Sequence, residues 1–176
     1  MKERTEILAS GFGGQGVVRL GQIFCLAGVK QNFRVTMLKS HGTEQRGGYV
    51  RAQVVLSTEP IDSPMVEVPD YFCALSSAAY KSFSDMVTNG VIFYDPASVE
   101  INEEKAKKIT HYAVSAKDSA IEKLGRAIFA NTIMLGAMSK KIDQLDKDII
   151  LATMLDVIPK FKEENKEAFE LGYGLL

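Results

Sequence analysis

The sequence contains no tryptophan, and it has only two cysteines and two histidines among 176 residues. Cys25 and Cys73 each lie in an apolar context, which predicts buried structural thiols. Two cysteines cannot supply the thiolates of an ordinary iron–sulfur cluster. No spacing of cysteine and histidine is typical of a metal site. We therefore expect no metal site on this chain.

Long apolar runs and a strong net charge are also missing. No apolar run approaches the roughly 18–20 residues that a membrane-spanning helix needs. The net charge is −1, so nothing marks a binder of nucleic acid or of a membrane surface. Residues 1–4 lead directly into an apolar run, which leaves no room for a signal peptide. We expect a cytoplasmic protein with neither a nucleic-acid nor a membrane partner.

A glycine-rich stretch near the start is the most informative part of the chain. A short apolar run leads into Gly11, Gly13, Gly14 and Gly16, and an amphipathic segment follows. This pattern is typical of a strand, a tight turn and a helix, and three of the glycines fit the G-x-G-x-x-G spacing. The free N–H groups of the helix would attract an anion, most often a phosphate. The same spacing also occurs in turns that bind no ligand.

The end of the second predicted strand, residues 33–38, bears on the choice of ligand. A dinucleotide site usually has an acidic residue there, but Lys39 follows and no Asp or Glu occurs before Glu44. This argues against NAD as the ligand, and equally against an adenosine ligand held by a carboxylate at that place. Lys39 would accommodate a phosphate; the alternative is a solvated lysine at a strand end.

Residues 40–48 are polar and rich in glycine, which predicts a loop. Glu44 and Arg46 could pair with each other or reach a ligand or a partner surface. An arginine beside Gly47 and Gly48 suits a bidentate grip on phosphate or carboxylate. Composition alone favours an ordinary surface loop.

The rest of the chain predicts a single α/β domain over residues 1–176, because strands alternate with helical segments. The first strand, helix and second strand form a βαβ unit with parallel strands. Residues 49–57 predict a half-exposed strand near a sheet edge. Further strands are predicted at 70–76, 91–94 and 111–114, and helices at 17–32, 78–87, 116–124, 126–141, 146–158 and 162–171.

Asn131 is a polar residue inside an apolar helical stripe. It either hydrogen-bonds neighbouring backbone or contacts a ligand or an interface.

Four segments in this order resemble the gamma subunit of 2-oxoacid:ferredoxin oxidoreductases. They are the glycine-rich turn at 11–17, the loop at 40–48 with its Glu-x-Arg-Gly-Gly pattern, and residues 130–137 and 165–173. The resemblance covers essentially the whole chain. The loop departs from the family pattern at His41 and Thr43, where Tyr and Pro are more usual.

The resemblance implies a three-layer α/β/α fold with a mainly parallel, Rossmann-like sheet. It implies a complex with alpha and beta subunits and a ferredoxin-like delta subunit, which oxidatively decarboxylates a 2-oxoacid, forms acyl-coenzyme A and reduces ferredoxin. Thiamine diphosphate with magnesium and 4Fe-4S clusters would lie on the other subunits. This chain would contribute no catalytic residue and bind no cofactor alone.

Coenzyme A is the ligand that this chain is expected to contact. Backbone donors of the turn, the Gln15 amide, Lys39 and Arg46 could hold its phosphates. The full set of candidate binding residues is Gly11, Gly13, Gly14, Gln15, Gly16, Lys39, Glu44, Arg46, Gly47, Gly48 and Asn131. In the competing view the glycines only allow tight packing against a partner subunit.

Two alternatives stay open from the sequence. The small subunit of indolepyruvate:ferredoxin oxidoreductase carries a similar module. A free-standing nucleotide-binding or regulatory domain would also fit the glycine spacing, although the missing acidic residue weakens it.

Overall fold

The computed structural model describes residues 2–41 and 49–176. Its strands are β1 (Arg4–Phe12), β2 (Arg34–His41), β3 (Tyr49–Ser57), β4 (Tyr71–Ala74), β5 (Val91–Tyr94) and β6 (Thr110–Ala113). Its α-helices are α1 (Val17–Lys30), α2 (Ser77–Phe83), α3 (Glu103–Ala106), α4 (Ala116–Leu124), α5 (Ala130–Ser139), α6 (Lys147–Val157) and α7 (Lys162–Gly174). Short 3-10 turns follow α2 and precede α5.

The six strands form one sheet in the order β2-β3-β1-β4-β5-β6. The pairs β1–β4, β4–β5 and β5–β6 are parallel, whereas β3 runs antiparallel to both of its neighbours. The predicted α/β fold with a mainly parallel sheet is confirmed, with an antiparallel part on one side.

Two expectations about that side were wrong. β1 and β2 do run in the same direction, but they are not adjacent because β3 lies between them. β3 does lie near an edge, next to the edge strand β2, but it is not half-exposed. The consecutive residues Val54, Val55 and Leu56 are all buried, and a strand buried on both faces belongs in the interior of a sheet.

Helices cover both faces of the sheet and form the outer layers. One core cluster joins α1, α5 and α7 to the first face, with Phe24, Ile133 and Phe169 among its buried members. A smaller cluster around Phe72 and Tyr80 covers the second face and includes α2. Because β1, β4, β5 and β6 are parallel, their carboxyl ends all lie at one edge of the sheet, where each strand passes into the following turn.

Two helical segments differ from the predictions. The predicted helix 126–141 begins only at Ala130, after a 3-10 turn. The short helix α3 was not among the predicted helices, and Asn102 caps it by accepting a hydrogen bond from the Lys105 N–H group at 3.0 Å.

The two thiols differ in burial. Cys73 is fully buried, whereas Cys25 is only half-buried. Burial raises the pKa of both thiols. In the part of the chain that the structure describes, no helix combines the length and the apolar character that a membrane span requires.

Candidate functional site

The glycine-rich turn lies between β1 and α1, as the spacing predicted. Gly16 is the N-cap of α1 and has a φ of 78°, and Gly14 has a φ of 89°. Both angles fall in the left-handed region that favours glycine. Among the described residues no side chain caps this helix start, and its first turn contains no acidic residue. The first N–H groups of α1 therefore keep their capacity to bind an anion.

Both polar atoms of the Gln15 side-chain amide form hydrogen bonds with the backbone of this chain. Its Oε1 atom accepts a hydrogen bond from the Phe12 N–H group at 2.6 Å. Its Nε2 atom donates to the Leu75 carbonyl at 2.8 Å. This side chain was expected to offer its amide to a ligand, and in the structure it ties the turn to the end of β4.

Asn131 meets the turn from the first turn of α5. A Cβ atom on Gly16 would collide with the Asn131 side-chain amide. The position of Asn131 in an otherwise apolar stripe thus has a spatial reason, since the residue lies against the start of α1. The sequence pattern had marked it as exceptional without showing what it contacts.

A cavity of about 470 Å³ opens beside the turn. It lies at the carboxyl ends of β1, β4 and β5, where α4 and α5 close one side. Chain connections leave β1 and β4 in opposite directions across the sheet, so this is a topological switch point, where open α/β sheets bind ligands. Its lining includes Gly14, Gln15, Gly16, Arg19, Asp95, Lys117 and Asn131.

Two basic residues, Arg19 and Lys117, line this cavity, and the sequence analysis did not identify either of them. Arg19 is exposed in the first turn of α1. Among the described residues, no carboxylate lies within salt-bridge distance of it. A cation in the first turn opposes the helix dipole, and this unfavourable position was the signal that could have identified Arg19.

Asp95 is a buried carboxylate in the cavity wall, at the end of β5. One of its oxygens accepts from the Ala97 N–H group at 2.9 Å, and the other accepts from the Lys117 N–H group at 2.7 Å. These bonds join the end of β5 to the first turn of α4. The sequence analysis predicted the strand 91–94 but did not identify Asp95, which follows it.

The remaining candidates do not all gather at this cavity. Lys39 is exposed on the edge strand β2, and β3 separates it from β1. Lys39 was expected to hold phosphates together with the turn, but its strand is not the neighbour of β1. Glu44, Arg46, Gly47 and Gly48 lie outside the described residues. So do Thr43 and the side chain of His41.

The described residues contain no group of three or more His, Cys, Asp or Glu side chains that could hold a metal ion. The fold and the cavity together define an α/β protein with a glycine-rich turn between a strand and a helix, and with no metal-ligating cluster in the described part.

Comparison with known proteins identifies the family. The family model for pyruvate ferredoxin/flavodoxin oxidoreductase matches residues 6–175. The 2-oxoglutarate synthase subunit KorC of Methanocaldococcus jannaschii is 36% identical, with 98% of this chain and 94% of that protein covered. The chain belongs to this family and is a gamma subunit of a 2-oxoacid:ferredoxin oxidoreductase. Other relatives are named for ketoisovalerate and for pyruvate.

Solved structures agree in fold. The gamma subunit of keto/oxoacid ferredoxin oxidoreductase from Geobacter sulfurreducens has a TM-score of 0.82 at 27% identity, with 98% of this chain and 96% of that chain covered. The 2-oxoglutarate:ferredoxin oxidoreductase of Magnetococcus marinus, with 2-oxoglutarate, coenzyme A and succinyl-CoA bound, has a TM-score of 0.89 at 24% identity. The likeness covers 99% of this chain and 31% of that chain. The family match favours an enzyme subunit over a free-standing domain.

Proposed function

We propose that this chain, as one domain over residues 1–176, supplies part of the coenzyme A site of its 2-oxoacid:ferredoxin oxidoreductase complex. The observation that carries the proposal is the uncapped start of α1 at the cavity, with Arg19 in its first turn. Backbone N–H groups and a guanidinium are the donors that phosphate oxygens accept from best. A cavity of about 470 Å³ has room for part of coenzyme A.

The chain's own residues would bind and orient the non-reacting part of this ligand. Asn131 lies at the cavity wall, where its amide can contact a phosphate or a hydroxyl group. Lys117 adds a second cation from α4. The described residues that line the cavity include no nucleophile hydrogen-bonded to a base, so the thiol of coenzyme A would react outside this chain.

The cofactors of the reaction would lie on partner subunits. Thiamine diphosphate with magnesium supplies the carbanion chemistry, and iron–sulfur clusters pass electrons to ferredoxin. The residues here do not fit a cluster, because the sequence has only two cysteines and they lie in different surroundings. Alpha, beta and delta-type chains are the proposed partners. Co-purification tests this and separates it from the indolepyruvate enzyme, for which one large fused partner is expected.

The test of the ligand proposal compares two arginines in the assembled complex. Arg19→Gln removes the cation at the cavity, and Arg34→Gln removes an exposed arginine at the opposite end of the sheet, where β2 begins. A hydrogen bond to a charged group contributes roughly 1.5–3 kcal/mol, so Arg19→Gln should raise the KM for coenzyme A about tenfold or more. The KM for the oxoacid should not change in either variant.

A stability measurement separates binding from folding in this experiment. A cation in the first turn of a helix costs about 0.3–1 kcal/mol, so Arg19→Gln should leave the chain as stable as the original or slightly more stable. The proposal fails if the KM for coenzyme A is the same in both variants. It also fails if Arg19→Gln prevents assembly of the complex.

A further inference from the structure

The side-chain amide of Gln15 occupies a place in the sheet where a direct backbone hydrogen bond is expected. β1 and β4 pair in parallel up to Ser10 opposite Ala74. The Leu75 N–H group then donates to the Ser10 carbonyl at 2.9 Å. In a parallel ladder the next bond would run from the Phe12 N–H group to the Leu75 carbonyl.

That next bond is replaced by a relay through Gln15. The Phe12 N–H group donates to Gln15 Oε1 at 2.6 Å, and Gln15 Nε2 donates to the Leu75 carbonyl at 2.8 Å. The backbone N–H group of Gln15 also donates to the Phe12 carbonyl at 3.3 Å. One amide group therefore stands between the two strands and satisfies both backbone groups.

The glycine at position 11 makes room for this arrangement. A Cβ atom there would lie 2.5 Å from Gln15 Oε1 and 2.9 Å from Leu75 Cβ. Contacts this short do not occur at real Cβ atoms without a shift of the neighbours. Packing against Gln15 and Leu75 thus accounts for a glycine at position 11 without a ligand.

We infer that Gln15 is a positioning residue, which acts as a spacer between the ends of β1 and β4. It keeps the two strands apart by the width of one amide where the cavity opens, and it fixes the turn that presents the N–H groups of α1. The inference concerns the geometry of the ligand-free chain. Its effect on coenzyme A rests on the proposed function above.

The test uses the assembled complex without coenzyme A. Gln15→Met keeps the length of the side chain and removes both hydrogen-bonding atoms. Gln15→Glu keeps an acceptor for the Phe12 N–H group and removes the donor to Leu75. Gln22→Met serves as the control, because Gln22 is exposed two turns further along α1. Hydrogen–deuterium exchange is measured on peptides that cover the end of β1 and the start of α1.

The Phe12 amide should exchange about tenfold faster in Gln15→Met, because it loses its acceptor, and should be affected less in Gln15→Glu. Unchanged exchange in Gln15→Met would overturn the spacer role, whatever the kinetics show. Faster exchange together with a higher KM for coenzyme A supports both the spacer and the proposed site. Faster exchange with an unchanged KM supports the spacer and counts against the coenzyme A site.

Discussion

The four glycines of the turn form two pairs with different surroundings. Gly11 and Gly16 are covered by side chains of this protein, Gln15 in the first case and Asn131 in the second. At Gly13 and Gly14, a Cβ atom would meet no atom of the described residues within 4 Å. The covered pair is explained by internal packing. No described residue covers the open pair, and because Gly14 also needs a left-handed φ, Gly13 is the position that can report on function with the least effect on the fold.

Gly16→Ala is the substitution with the largest expected loss in the free energy of unfolding. The residue needs a left-handed φ of 78°, which costs an alanine about 1–2 kcal/mol, and the new Cβ would collide with Asn131. Overpacking adds about 1–3 kcal/mol. Denaturant unfolding of the purified chain should show a total loss of roughly 2–5 kcal/mol in the free energy of unfolding.

A second substitution separates the two causes at this position. Asn131→Ala in the Gly16→Ala background should recover the packing part and leave the backbone part. The double-mutant cycle should then show coupling of about 1 kcal/mol or more. Independent effects of the two substitutions would mean that Asn131 does not restrict position 16.

Gly11→Ala comes next in expected effect. Its φ lies outside the left-handed region, so only the short contacts with Gln15 and Leu75 oppose the substitution. We expect a loss of about 1–3 kcal/mol in unfolding free energy. The cost should fall when Gln15→Ala is added, and a cost that stays the same would assign the conflict to Leu75 instead.

Gly14→Ala tests conformation without packing. Its φ of 89° strains an alanine, while the space around it is open. The expected loss is about 1 kcal/mol, smaller than at Gly16, in the same unfolding measurement. A loss as large as that at Gly16 would show that backbone strain alone explains both positions.

Gly13→Ala should change stability least. With open space and no left-handed φ, the free energy of unfolding should stay within about 0.5 kcal/mol or rise slightly. Gly174→Ala is the matched control, because the last residue of α7 is equally open and far along the chain from the turn. If Gly13→Ala weakens coenzyme A binding or assembly while Gly174→Ala does not, the cause lies outside this chain's own packing.

Much of the local structure could be predicted from sequence. The glycines at 11–16 place the turn between strand and helix, and the apolar spacing of Leu20, Phe24 and Ala27 places α1. These features depend on neighbours only a few residues away, so periodicity and turn chemistry suffice to predict them. The order of the motifs along the chain also sufficed to indicate the family, which the comparisons confirm.

Only the tertiary structure decided which side chains meet at the cavity. The insertion of β3 between β1 and β2 moved Lys39 away from the turn, because strand order depends on pairing between distant segments. Gln15 was one of the residues expected to contact the ligand, but its amide donates to the carbonyl of Leu75, sixty positions further along the chain. Arg19, Asp95 and Lys117 converge from three separate elements. The sequence by itself determined the glycine-rich turn at the start of α1, whereas long-range packing determined which residues line the cavity beside it.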